Sequence, residues 1–203
     1  HLLTDFQRPV LFDYQGNDLI FEIDKDLSSQ LRLLAKESET TLYTVLLSAF
    51  YITLYQITGQ LDLLIGTPSE NRSHPQTQGL IGFFVNSLPL RQKLELHELI
   101  PDLINRVHTM VAQAKIHQEL PFEKLIEDLQ IDRDPSRHPL FQVMFSLQDF
   151  EHTKSDQATS IPFTAVALDN EANLYSPAKY DLSVALTSGE EQIVGVMNYA
   201  TSL

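Results

Sequence analysis

The chain has 203 residues, 43% of them hydrophobic, enough apolar material for one core of ordinary domain size or one large lobe of a bigger domain. Its 27 acidic against 14 basic residues give a net charge of −13, which repels phosphate backbones and argues against nucleic acid as a partner, although Arg72, Arg133 and Arg137 leave room for a patch that meets a single phosphate. The absence of cysteine excludes a disulfide framework and fits a reducing cytoplasm. No apolar run approaches the roughly 20 residues that span a bilayer, and the opening HLLTDFQRP lacks a signal-peptide layout, so a soluble protein without a membrane partner is expected.

Thr4 to Pro9 is polar and contains a proline, the pattern of an extended linker. Asp18 to Ile23 alternates like a strand, and Asp24 suits the N-cap of a helix carrying Leu27, Leu31 and Leu34. A second helix starts near Thr40 or Thr41 and runs to Gly59, a residue suited to a left-handed C-terminal position. Nearly every position along it is apolar, which predicts burial on most sides.

Leu61 to Thr67 reads as a buried strand feeding the loop SENRSHPQTQ. The stretch LIGFFVNSLPLRQKL holds too many β-branched and aromatic residues, with a proline inside, for a helix; two strand pieces at an edge or bend are predicted. Leu99, Leu103, Val107, Val111 and Ala114 recur at helical spacing between Glu98 and His117. A shorter helix over Pro121 to Leu129 puts Phe122, Leu125, Ile126 and Leu129 on one face. Strands are predicted at Phe141 to Leu147, Phe163 to Leu168, Tyr180 to Thr187 and Gln192 to Tyr199, the last two joined in a hairpin at Gly189. The order is that of a layered α/β lobe, and an ending directly after a predicted strand points to a piece of a longer chain.

No Gly-x-Ser-x-Gly elbow, phosphate-binding glycine loop or dinucleotide fingerprint occurs. The histidines at 1, 74, 97, 108, 117, 138 and 152 show no metal spacing, so no metal site is expected; His97 and His108 fall on a predicted helix, where a solvated face is the ordinary reading.

Three stretches stand apart from generic core: IGFFVNSLPLR (81–91), HQELPFEKL (117–125) and RDPSRHPLFQVMF (133–145). Each has a structural explanation on its own, Gly82 allowing close backbone approach, Pro121 starting a helix, Arg133 or Arg137 capping a turn. In this order and at these separations they resemble the three late signature motifs of the condensation domains of nonribosomal peptide synthetases. TDFQRP (4–9) resembles the segment that opens the second half of such domains, and DLLIGTPSENR (62–72) their strand and loop ending in Asn-Arg. The resemblance covers essentially the whole chain. Departures are conservative: Glu119 stands where Asp is usual, His138 where Asn is common, Ser87 where Thr is frequent. The family's His-His-x-x-x-Asp-Gly motif has no counterpart, since no two histidines are adjacent.

The resemblance implies a chloramphenicol-acetyltransferase-like lobe, a mixed sheet flanked by helices, with residues 1–203 as the C-terminal subdomain and without the N-terminal subdomain or the final segment. The family joins donor and acceptor thioesters, carried on the phosphopantetheine arms of carrier proteins, into an amide; no cofactor is held directly, and an adenylation domain is a neighbour. The isolated chain is expected to lack autonomous activity and to name no catalytic residue of its own. Asn86, Gly82 and Gly66 are the implied tunnel residues and Arg72 the implied phosphopantetheine contact. Against this stands a reading in which Asn86 satisfies backbone groups at a bend, the glycines serve turns and Arg72 a surface ion pair. His117, Phe122, Arg133, Arg137 and Pro139 are expected to be architectural, with Phe122, Pro139 and Phe141 fixing the lobe's core and its edge against the other lobe. Part of 148–178, long for a loop within a lobe, is expected to cross to the other lobe as a latch. An epimerisation-domain half and a carrier-docking module without catalysis are the alternatives.

Overall fold

The computed structural model describes residues 2–149 and 176–203. The strand predicted at Phe163 to Leu168 and most of the crossover segment lie outside these residues. The described elements are β1 (Gly16–Ile23), α1 (Lys25–Glu37), α2 (Leu42–Thr58), β2 (Asp62–Ser69), β3 (Asn86–Lys93), α3 (Ile100–Ile116), α4 (Phe122–Asp128), β4 (Val143–Asp149), β5 (Leu182–Ser188) and β6 (Ile193–Ala200). The strands form one sheet in the order β1-β6-β5-β4-β2-β3. Of its four inner strands, β2, β4 and β5 pair in parallel, while β6 pairs antiparallel with β5 and β1, and β3 antiparallel with β2, which makes the mixed sheet expected.

The helices start and stop where their cap residues dictate. Asp24 accepts from the Leu27 N–H at 2.8 Å at the head of α1, Thr41 accepts from Thr44 at the head of α2, and Gly59 takes φ 68° and returns its N–H to Tyr55 at 2.7 Å. Strand alternation then sorts the sheet. Leu63, Ile65, Phe145, Val184 and Leu186 are buried in one cluster with Leu47, Phe50, Tyr51 and Leu54 of α2 and Leu103 and Val107 of α3. Each such side chain contributes about 1.5–3 kcal/mol relative to exposure. The Tyr51 hydroxyl donates to the Leu90 carbonyl at 2.8 Å and so ties α2 to β3 through the core. On the opposite face Met144, Ser146, Ser183 and Ala185 are half-buried or exposed.

Three expectations need correction. LIGFFVNSLPLRQKL holds one strand, not two pieces: β3 begins at Asn86, and Pro89 is tolerated because β3 is the edge strand. His97 lies in a turn before α3, not on the helix. The opening segment is anchored rather than a linker. Leu2 packs against the core, and Arg8 donates to the Ser136 carbonyl at 3.2 Å and with both terminal nitrogens to the Asp181 carboxylate. The Asp181 side chain is 3% exposed and that of Arg8 20%. The hydrogen bond to Asp181 raises the Arg8 pKa above its ordinary value. The Phe12 N–H adds a bond to the Pro135 carbonyl at 2.8 Å.

A buried carboxylate that loses its cation is strongly destabilising. Arg8→Ala is expected to lower the unfolding free energy by about 3 kcal/mol. Adding Asp181→Asn in that background should cost much less than Asp181→Asn alone, as read by urea unfolding of the four proteins of the cycle. Additive costs would remove the pair from the account.

Candidate functional site

The first and second signature stretches meet at one side chain. Asn86, the first residue of β3, donates through Nδ2 to the carbonyls of Gln118 (2.8 Å) and Leu120 (2.7 Å) and accepts at Oδ1 from the Phe122 N–H (3.1 Å). The partners lie in the turn between α3 and α4 and at the first residue of α4, where helix ends leave backbone groups without intrahelical partners. The N-terminus of α4 has no side-chain cap of its own. Asn86 therefore serves as a cap delivered from the neighbouring strand. The Ser69 Oγ, opposite Asn86 in the β2/β3 register, donates to Gln118 Oε1 at 2.6 Å and fixes the same turn. His117 closes α3 through its backbone, with its N–H on the Ala114 carbonyl, and its imidazole is exposed.

The loop before Asn86 is apolar and outside the core. Ile81 and Phe83 are 106% and 91% exposed. The loop is nevertheless pinned: the Arg72 guanidinium donates to the Thr77 carbonyl and lies 4.3 Å over the centre of the Phe84 ring. A Cβ at Gly82 would come within 3.0 Å of that ring. Gly82 and Arg72 thus share a role in packing Phe84 under the loop.

The third stretch closes an aromatic cluster. The Phe122 ring stacks on His138 (centroids 5.3 Å) and tilts against Phe141 (5.5 Å), while Tyr180 meets His138 at 4.8 Å and Phe141 at 5.7 Å. Phe141 is 1% exposed, as expected of core, but Phe122 is only half-buried and sits outside the main core cluster. A Cβ at Gly66 would lie 2.1 Å from the Phe141 ring, so the close approach this glycine allows is taken by that ring. Half-buried Pro139 continues this wall; Arg137 pairs with Asp134 at 2.6 Å, and Arg133 is exposed beside them. The Ser136 hydroxyl and N–H, followed by Arg137, hold the Asp134 carboxyl below its usual range.

Asn86, His117 and Phe122 therefore share one corner, Gly66, Phe122 and Pro139 one aromatic wall, and Arg72 and Gly82 one loop. Arg133 and Arg137 stand on the flank. The residues not anticipated are Arg8 and Asp181, Ser69 and Gln118, and Tyr180. The only signal for Asp181 was an acid inside an otherwise apolar strand start, and pairing it with Arg8 required contact across 173 positions.

The model of the family described as Condensation domain matches residues 1–203, the whole chain. This chain belongs to the condensation domain family. It is 40% identical over 203 residues to surfactin synthase subunit 1 of Bacillus subtilis (strain 168), covering 100% of this chain and 6% of that protein. It is 38% identical over 202 residues to N-(5-amino-5-carboxypentanoyl)-L-cysteinyl-D-valine synthase of Amycolatopsis lactamdurans, covering 100% of this chain and 5% of that one. The fold matches a crystal structure of holo-AB3403, a four-domain nonribosomal peptide synthetase bound to AMP and glycine, with a TM-score of 0.84 at 24% identity over 98% of this chain and 16% of the other. The chain thus spans a small fraction of the relatives it matches. Among the described residues of this condensation-domain chain, no single helix is long and apolar enough to cross a membrane.

His138 carries a pH dependence that the cluster predicts. Its Nδ1–H donates to the Phe141 carbonyl at 3.2 Å, and burial among the rings pushes its pKa below 6.5. In the unfolded chain the ring takes up its proton near 6.5, before the folded one does, so stability is intact above 6.5 and falls as pH drops below it. The urea midpoint should fall between pH 7.5 and pH 5.5 by more in the native chain than in His138→Gln. Equal pH dependence of the two would contradict the assignment.

Proposed function

We propose that this chain is the C-terminal lobe of a condensation domain that joins two thioester-bound substrates into an amide. The α-amine of the acceptor attacks the donor carbonyl, the C–S bond breaks, the donor carrier's thiolate leaves, and the ammonium proton passes to a base supplied by the other lobe. Both reactants arrive tethered to phosphopantetheine arms of carrier proteins. Much of the acceleration in such a reaction comes from holding amine and carbonyl in line, which a wall can do without supplying a base. On this reading the lobe works in the cytoplasm within a longer synthetase that includes an adenylation domain.

The observation that carries the proposal is the combination of a rigid stalk and an apolar tip at residues 80–86. Ile81 and Phe83 are exposed and outside the core clusters of the described residues, yet Asn86, Arg72 and Phe84 hold the loop that presents them. A rigidly held apolar tip suits permanent packing against a second lobe, with the passage for the arms between the two. Asn86 serves that passage by positioning, since its amide is engaged with the 118–122 turn, and Arg72 likewise acts first on the loop. Gly82 lies where the loop could let an arm approach the backbone.

The test uses the full condensation domain with both loaded carriers, and amide product read by mass spectrometry. Ile81→Asp/Phe83→Asp should cut product formation by at least about tenfold, equivalent to ~1.4 kcal/mol in the barrier, while leaving the melting temperature of residues 1–203 unchanged. The 1–203 chain alone should form no product. Amide synthesis by that chain alone, or full activity of the double variant, would overturn the proposal.

A further inference from the structure

A cavity of about 550 Å³ opens where β2 and β4 end, between the first turn of α2 and the second half of α3. The ends of these two parallel-paired strands and the two helices packed on the same face of the sheet form its mouth. Its volume lies in the range of small-molecule sites. Leu42, Val111, Ala114 and Leu147 supply apolar lining.

Three further features distinguish the cavity from a packing defect. One part of its wall is held in place, because lining residue Gln118 is fixed at its carbonyl by Asn86 and at its side chain by Ser69. Two of the signature stretches thus converge on holding one cavity wall. A polar pair also sits in the lining, the Tyr43 hydroxyl donating to Thr67 Oγ1 at 2.9 Å. Thr67 keeps its own hydroxyl proton to offer, so a polar group at the tip of a guest can be met without an unpaired charge. Burial keeps the Tyr43 phenol neutral, its pKa pushed up to about 12. The charged lining residues, Glu70 and Lys115, are of opposite sign and leave no net charge to select an ionic guest.

We infer that this cavity receives the side chain of one of the two joined residues, and that it selects an uncharged, mainly apolar side chain of leucine to phenylalanine size. The inference rests on the amide-forming reading above and adds the substrate class. Ala114 is the position from which a larger residue fills the cavity, and Leu147 one from which a smaller residue enlarges it.

Two measurements test it. Leucyl, alanyl and lysyl amides of aminopantetheine are titrated into the native chain and into Ala114→Trp, with side-chain methyl signals followed by NMR. The leucyl amide should saturably shift the methyls of Val111, Ala114 and Leu147 in the native chain, and these shifts should vanish in Ala114→Trp, with lysyl giving none in either. In the full domain with loaded carriers, Ala114→Trp should lower amide yield from a leucyl substrate at least about tenfold relative to alanyl, or ~1.4 kcal/mol. Leu147→Ala should move preference towards phenylalanyl, which keeps the test open if the tryptophan variant misfolds. Equal loss for every side chain, or lysyl binding as tightly as leucyl, would overturn the inference. If the native full domain forms no amide with any pair, the amide-forming reading fails instead, and the titration alone decides whether the cavity binds apolar side chains.

Discussion

The lobe depends on one obligation of the polypeptide backbone. Where α3 ends and α4 begins within a few residues, carbonyls and an N–H are left without helical partners, and the start of α4 carries no side-chain cap. Asn86 meets the obligation from outside, with two donors and one acceptor set on Gln118, Leu120 and Phe122. An amide is the one side chain of that length with both kinds of group. The consequence spreads in three directions: the exposed loop gains a fixed root, Gln118 becomes a fixed cavity wall, and Phe122 is placed against His138 and Phe141.

The two faces of the sheet divide the labour. One is filled by α2 and α3 and holds the main core. The middle of the second face, at Met144, Ser146, Ser183 and Ala185, and the 80–85 loop carry small or apolar residues, while charged Glu22, Asp62, Arg91 and Lys93 sit towards the face's edges and ends. On the proposed function, that allocation suits a wall whose reacting partners come from elsewhere. It also fits signature stretches rich in groups that lock geometry: Arg72 stacks, Gly66 makes room, and burial lowers the pKa of His138 from its ordinary value.

The sequence was most legible where local chemistry and tertiary context agreed. Asp24, Thr41 and Gly59 announced helix ends because caps act within a few residues, and the alternation of β5 and β6 around Gly189 announced a hairpin. Legibility failed where the deciding partner is distant. TDFQRP reads as linker because nothing nearby reveals that Arg8 meets Asp181. Residues 80–85 read as strand because β-branched and aromatic residues favour strands, yet the apolar surface is displayed rather than paired. Of the site, the three motif stretches were visible as a set, and two roles remained open for Asn86 and Gly66. For both, the geometry shows an internal partner, the 118–122 backbone for one and the Phe141 ring for the other.

The most direct measurement of the central claim is native-state hydrogen exchange at the Phe122 amide. This N–H lies at the first position of a seven-residue helix, where exchange would ordinarily be fast. With Asn86 Oδ1 as its acceptor, it should instead be protected to the level of the β3 ladder amides and lose that protection in Asn86→Ala. Exchange of the Phe122 amide at the rate of an exposed turn in the native chain would contradict the account.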